Sequence, residues 1–185
     1  MSSKVAARYA KALLDLALEK NVVETVQQDI STLHTTISGS RELYMMLKSP
    51  IINADKKQRV LQAVFGSNLS PLTLSFIDIL LKKRREEDLP DIAQSFGEQY
   101  KKLYGIIDAK LITAMPVNEA LLNKVKDIVR KDTGANQVHI TNEVSNDLIG
   151  GFVLEYNDKR YDASISSKLK QLYRGFAVRD YIKQY

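Results

Sequence analysis

The chain has 185 residues, with 44% hydrophobic and 26% charged side chains, no cysteine, and a formal net charge of +5. This is the balance of a globular protein of one large domain or two small ones. It rules out disulfides, thiolate metal sites and thiol catalysis, and no apolar run approaches the ~20 residues of a membrane span.

The N-terminus lacks the apolar core of a signal peptide, and Asp15 and Glu19 come too early for a typical transit peptide. The positive excess is spread out: 15 basic against 12 acidic residues up to position 104, and 12 against 10 after it. The one dense basic run, Lys82-Lys83-Arg84-Arg85, is followed at once by Glu86-Glu87-Asp88. That pattern reads first as a solvated, self-compensated surface. A basic nucleic-acid-binding helical module is the alternative, and it requires a face left uncompensated.

Residues 1–104 read as helices punctuated about every fifteen residues. On the first helix, Ala6, Tyr9, Ala10, Leu13, Leu14, Leu16, Ala17 and Leu18 cover an arc of roughly 240°. Val23, Val26, Ile30, Leu33 and Ile37 give the second helix a single amphipathic stripe. Gly39-Ser40 ends it and caps a short third helix through Leu47, which Ser49-Pro50 breaks. A fourth helix over about 54–65 is expected to turn Val60, Leu61 and Val64 inward and to stop at Gly66. Ser70-Pro71 caps and starts the fifth. Its apolar residues form two stripes, Leu74-Ile77-Leu81 and Leu72-Phe76-Ile79, together roughly 220° wide. Leu89, Ile92, Ala93, Phe96, Tyr100 and Leu103 mark the sixth. Six helices with short loops predict a compact bundle.

Near Gly105 the period changes. Ile106–Thr113 reads as a strand. Asn118 caps a helix through Lys131 with Leu121, Leu122, Val125, Ile128 and Val129 inward, and Gly134 closes it. Val138–Thr141 is a second strand. In the stretch from Asp147 to Leu154, Gly150 and Gly151 stand at the start of a hairpin, Phe152–Tyr156 with Lys159–Ala163, turning at Asn157-Asp158. A last helix begins near Ile165. The predicted fold is therefore α+β in two domains: 1–104 a six-helix bundle, and 105–185 a small α/β domain with a β-hairpin.

Catalytic motifs are missing. There is no Gly-x-x-x-x-Gly-Lys and no Gly-x-Gly-x-x-Gly, and His34 and His139 fall in different predicted domains without a second ligand at metal spacing. Asp162 and Ser164 precede a helix and read as caps rather than as a nucleophile with its base. Gly150, Gly151, Asp162 and Ser164 are thus structural candidates. No catalytic, metal or cofactor-binding residue is proposed. The stronger signal is the apolar surplus on the first and fifth helices, since a surface helix needs only a ~100° stripe. Either those helices are central or they offer a groove to an amphipathic partner helix.

Three segments together carry a family resemblance: Ala7-Arg8-Tyr9-Ala10-Lys11-Ala12-Leu13-Leu14-Asp15-Leu16-Ala17; Phe76 to Leu81 with Leu89-Pro90-Asp91-Ile92; and Leu148-Ile149-Gly150-Gly151-Phe152 with Asp162-Ala163-Ser164-Ile165 and Leu169. In order and spacing the chain resembles the delta subunit of bacterial F-type ATP synthase, counterpart of the mitochondrial oligomycin-sensitivity-conferring protein. The tail from Gly175 matches no motif. The resemblance implies a non-catalytic stator protein, present once per complex and monomeric when isolated, with no cofactor, nucleic acid or small-molecule substrate. It implies an N-terminal bundle that holds the N-terminal helix of an alpha subunit and a C-terminal domain that grips the b-subunit stalk. It also implies a peripheral place on the cytoplasmic face of the bacterial inner membrane. By the same match, the groove lies between the first and fifth helices, with Ala6, Tyr9, Leu13, Leu72, Phe76 and Ile79 as its residues.

Overall fold

The computed structural model describes residues 4–145 and 148–179. Asp147 and the end of the tail lie outside the described residues. The chain divides into two compact units, Met1–Leu103 and Tyr104–Tyr185.

The first unit holds α1 (Lys4–Glu19), α2 (Val23–Gly39), α3 (Arg41–Lys48), α4 (Ala54–Phe65), α5 (Pro71–Lys82), a single 3-10 turn (Glu86–Asp88) and α6, which runs Leu89–Tyr104. Its core draws on every helix and is centred on Leu13, Leu33, Ile37, Leu47, Phe65, Leu80, Ile92 and Phe96. The α2 stripe of Val23, Val26, Ile30, Leu33 and Ile37 is buried throughout. Ser40 ends α2 and caps α3, its hydroxyl accepting the Leu43 N–H at 3.3 Å.

The face of α4 differs from expectation. Leu61 points inward, but Val60 and Val64 are exposed, and the buried row is Lys57, Leu61 and Phe65. Spacing by four selects that row, because the Lys57 ammonium has partners inside. It donates to the Leu47 carbonyl and to Glu86 Oε1, both at 2.8 Å. A cation that satisfies two acceptors can occupy a position normally reserved for apolar side chains. Gly66 ends α4 as expected, in right-handed helical geometry (φ −58°). The chain leaves the helix as Leu69 folds back into the core, its N–H bonded to the Phe65 carbonyl. Leu103, at the last turn of α6, is exposed rather than inward.

The second unit is a four-stranded sheet with α7 (Glu119–Thr133) and α8 (Ile165–Arg179). The strands β1 (Ile106–Thr113), β2 (Gln137–Val144), β3 (Phe152–Tyr156) and β4 (Lys159–Asp162) lie in the order β2-β1-β3-β4. β1 and β2 are parallel, from Ile106↔Gln137 to Thr113↔Val144. A parallel pair needs a long crossover, and α7 supplies it. β3 runs antiparallel to both β1 and β4, with Leu111↔Leu154 and Leu154↔Tyr161 in register. Asn157 takes positive φ (50°) where β3 turns into β4.

Alternation along the strands sends Ala109, Leu111, Val138, Leu154 and Tyr156 into a core with Val125 and Val129 of α7. Leu121 and Leu122 pack at its margin, whereas Ile128 faces solvent. α7 starts at Asn118, whose side chain accepts the Leu121 N–H at 3.0 Å, and stops at Gly134 in the left-handed region (φ +68°).

Candidate functional site

The N-terminus of α5 is fixed by two side chains from separate places in the sequence. Ser70 caps it locally, followed by Pro71 at the first helical position. Asp29, buried on α2, reaches the same end. Its Oδ2 accepts the Ser70 N–H at 2.9 Å, the Ser70 hydroxyl at 2.6 Å and the Thr73 hydroxyl at 2.7 Å. A carboxylate at a helix N-terminus also satisfies the positive end of its dipole. The rotation of α5 about its axis is thereby tied to α2.

That rotation sorts the two apolar stripes. Thr73, Phe76, Ile77, Leu80 and Leu81 are buried, Leu72 and Leu74 are half-buried against the core, and Ile79 remains 51% exposed. On α1 the buried row is Ala6, Ala10, Leu13, Leu14 and Ala17, while Tyr9 packs on the core with one side open. Of the six proposed groove residues, Ala6 (0% exposed) and Leu13 (1%) are sealed in the core, and Phe76 sits at its edge. Those three hold the helices in place, which corrects the expectation that they offer a free surface. Only Tyr9, Leu72 and Ile79 are within a partner's reach.

The wide apolar arc on α1 divides into an inner, buried stripe and an outer one. Val5 and Leu16 are exposed and flank Tyr9 at spacings of four and seven residues. The outer row of α1 was therefore legible as a second helical stripe had Val5 been included. A second exposed apolar feature is the hollow of about 350 Å³ lined by Thr36, Leu43, Met46, Val60 and Val64.

In the second unit, the cleft of about 590 Å³ beside the glycine pair is lined by Thr113 to Asn118, Leu121 and Leu148 to Phe152. Among the described residues lining it there is no acid, base or thiol. Gly151 has φ +81°, and a Cβ there would stand 2.4 Å from the Ala163 carbonyl oxygen. At Gly150 a Cβ would meet only the Ile165 side chain, its Cδ1 at 2.7 Å and its Cγ1 at 3.5 Å. Asp162 accepts the Ser164 N–H at 2.9 Å and the Ser167 hydroxyl at 2.6 Å, and the Ser164 hydroxyl accepts the Ser167 N–H at 3.2 Å. Hydrogen bonds from Ser164 and Ser167 hold the Asp162 carboxyl down at about 2. Ser164 caps α8 at the Ser167 N–H, and Asp162 braces that cap through the Ser164 N–H and the Ser167 hydroxyl. His34 and His139 are exposed, and no cluster of three metal-ligating side chains occurs among the described residues. No helix of the described residues is long and apolar enough to cross a membrane.

Comparison with known proteins agrees in length and order. The family model described as ATP synthase delta (OSCP) subunit matches residues 5–176. ATP synthase subunit delta of Cytophaga hutchinsonii is 32% identical over 174 residues, covering 94% of each chain. That of Christiangramia forsetii is 34% identical over 186 residues, covering 98% of each. Among solved structures, a chain of the Toxoplasma gondii mitochondrial ATP synthase hexamer superposes with a TM-score of 0.69 at 21% identity, covering 95% of this chain and 98% of that one. It shares the α+β fold. The nucleic-acid alternative finds no support in any of these matches.

Proposed function

This chain belongs to the ATP synthase delta (OSCP) subunit family, and from that premise we propose how it works as a structural, non-catalytic stator subunit. A stator transmits torque without chemistry. Its requirements are two separate binding surfaces and enough rigidity between partners to resist rotation. In this reading the N-terminal six-helix bundle, residues 1–104, holds the N-terminal helix of an alpha subunit on the catalytic head. The small α/β domain, residues 105–185, with its β3–β4 hairpin, holds the b-subunit stalk. The protein sits peripherally on the membrane-bound complex, at the cytoplasmic face of a bacterial inner membrane, as a single copy. Proton-driven rotation is then coupled to ATP synthesis instead of slipping.

The observation that carries the alpha-subunit reading is Ile79. A large aliphatic residue half-exposed in the last turn of a helix whose rotation is fixed by Asp29 is an anchor without a host. Leu72 two turns earlier extends the stripe, and Tyr9 with Val5 and Leu16 gives α1 its own outer row. The test is calorimetric titration of the full chain with a peptide of the alpha-subunit N-terminus from the same synthase. Saturable binding at micromolar concentration is expected. Its absence removes the groove assignment, while co-purification of the chain with head and stalk tests the stator role separately.

A further inference from the structure

We propose that the turn Lys82-Lys83-Arg84 is an acid-recognition site, which receives the acidic end of the same amphipathic helix whose apolar face lies on Leu72 and Ile79. The proposal rests on the alpha-subunit reading above and adds the partner's polarity to it.

In sequence the three acids after this run seemed to neutralise it. The structure takes two of them away from Lys82, Lys83 and Arg84. Glu86 turns into the core, its Oε1 on the Lys57 ammonium. Asp88 lies 3.6 Å from the Arg85 guanidinium. Glu87 stays on the surface and, among the described residues, forms no ion pair with the three cations. Asp78, one turn before Lys82, accepts the Gln58 amide at 3.0 Å. Lys82, Lys83 and Arg84 are all exposed, and among the described residues none of the three is paired with a carboxylate.

Two features separate this turn from an ordinary solvated one. The first is Arg84 itself. Three non-glycine described residues have positive φ; two are asparagines, Asn21 and Asn157, and the third is Arg84 at φ 54°. Its N–H bonds the Leu81 carbonyl and that of Arg85 bonds the Leu80 carbonyl, closing α5 in a left-handed cap. Glycine or asparagine suits that position better, so an arginine there opposes the local backbone preference. The second is continuity. Lys83 retains helical dihedrals and follows Ile79 by four residues, on the same face. The exposed apolar stripe of α5 thus runs directly into the free cations. A helix laid along Leu72 and Ile79 reaches them with its end, and carboxylates there fix which way it runs. Charges at the rim of an interface set orientation and association rate more than affinity.

The experiment compares the full-length wild type with a Lys82→Gln/Lys83→Gln/Arg84→Gln variant, checking helical circular dichroism first. Both are titrated with the alpha-subunit N-terminal peptide and with the same peptide carrying Gln for its acidic residues, at about 50 and about 300 mM salt. Exposed pairs being worth a factor of a few each, the variant should bind the native peptide roughly fivefold to tenfold more weakly at low salt. That difference should shrink at high salt and vanish with the Gln peptide. Arg84→Gly should raise the urea midpoint and yet weaken binding, because it relieves the backbone while removing the charge. Equal affinities for both proteins would overturn the proposal and leave the alpha-subunit reading standing. Failure of the wild type to bind the native peptide would remove both. Binding of the wild type but not the variant to anionic phosphatidylglycerol vesicles, with peptide affinity unchanged, would assign the turn to lipid and overturn it as well.

Discussion

Gly151 and Ala163 lie so close that a methyl group on the glycine would overlap the alanine's carbonyl oxygen, at 2.4 Å. The strand and the start of α8 run side by side here, joined by the Ala163 N–H to the Phe152 carbonyl and the Ile165 N–H to the Gly150 carbonyl. Steric demand therefore falls on Gly151, whose φ of +81° also disfavours any side chain. At Gly150 the only obstacle is the flexible end of Ile165. Gly151→Ala should destabilise the second unit by about 2 kcal/mol or more, and Gly150→Ala by less than about 1 kcal/mol. Urea unfolding followed by circular dichroism ranks the two, and equal effects would refute the assignment.

The acid limb of stability should report on Asp162. Its folded carboxyl lies at about 2, against about 3.9 in an unfolded chain. The group is depressed, so its contribution is complete above the unfolded value and is lost as pH falls from about 4 through about 2. Asp162→Asn should lower the urea midpoint at neutral pH and flatten its decline across that window. An unchanged pH profile would mean that the capping bonds contribute nothing.

Lys57 and Glu86 form a buried pair, with Lys57 2% exposed. Removing one partner strands the other's charge. Lys57→Ala and Glu86→Ala should each cost about 3–5 kcal/mol, and Lys57→Ala/Glu86→Ala should cost much less than their sum. A double-mutant cycle by chemical denaturation measures the coupling. Additive losses would show that the two charges act independently.

Leu13 and Ile79 were drawn from the same apolar surplus but have opposite fates. Leu13→Asp puts a charge in the core and should unfold the first unit. Ile79→Asp should keep its helical signal and weaken the alpha-peptide affinity by tenfold or more. An unfolded Ile79→Asp would place that residue in the core after all.

What the sequence determined by itself was the order and type of the elements, because helical and strand periodicities, caps and breakers are local properties. Ser40, Ser70, Asn118 and Gly134 act where their neighbours said they would. The family was legible for the same reason, in three short segments at fixed spacing. Tertiary structure alone decided which face of each helix is used. Val60, Val64 and Ile128 are as apolar as their buried neighbours, but a helix can bury only the row its packing partners select. Lys57 displaced the two valines because Glu86, 29 residues away, gave it an inward partner. That choice also turned Glu86 away from Lys82, Lys83 and Arg84. A charge run that cancels on paper becomes an uncompensated surface when an acid is taken into the core, and pairings across such distances leave no periodic trace in the chain.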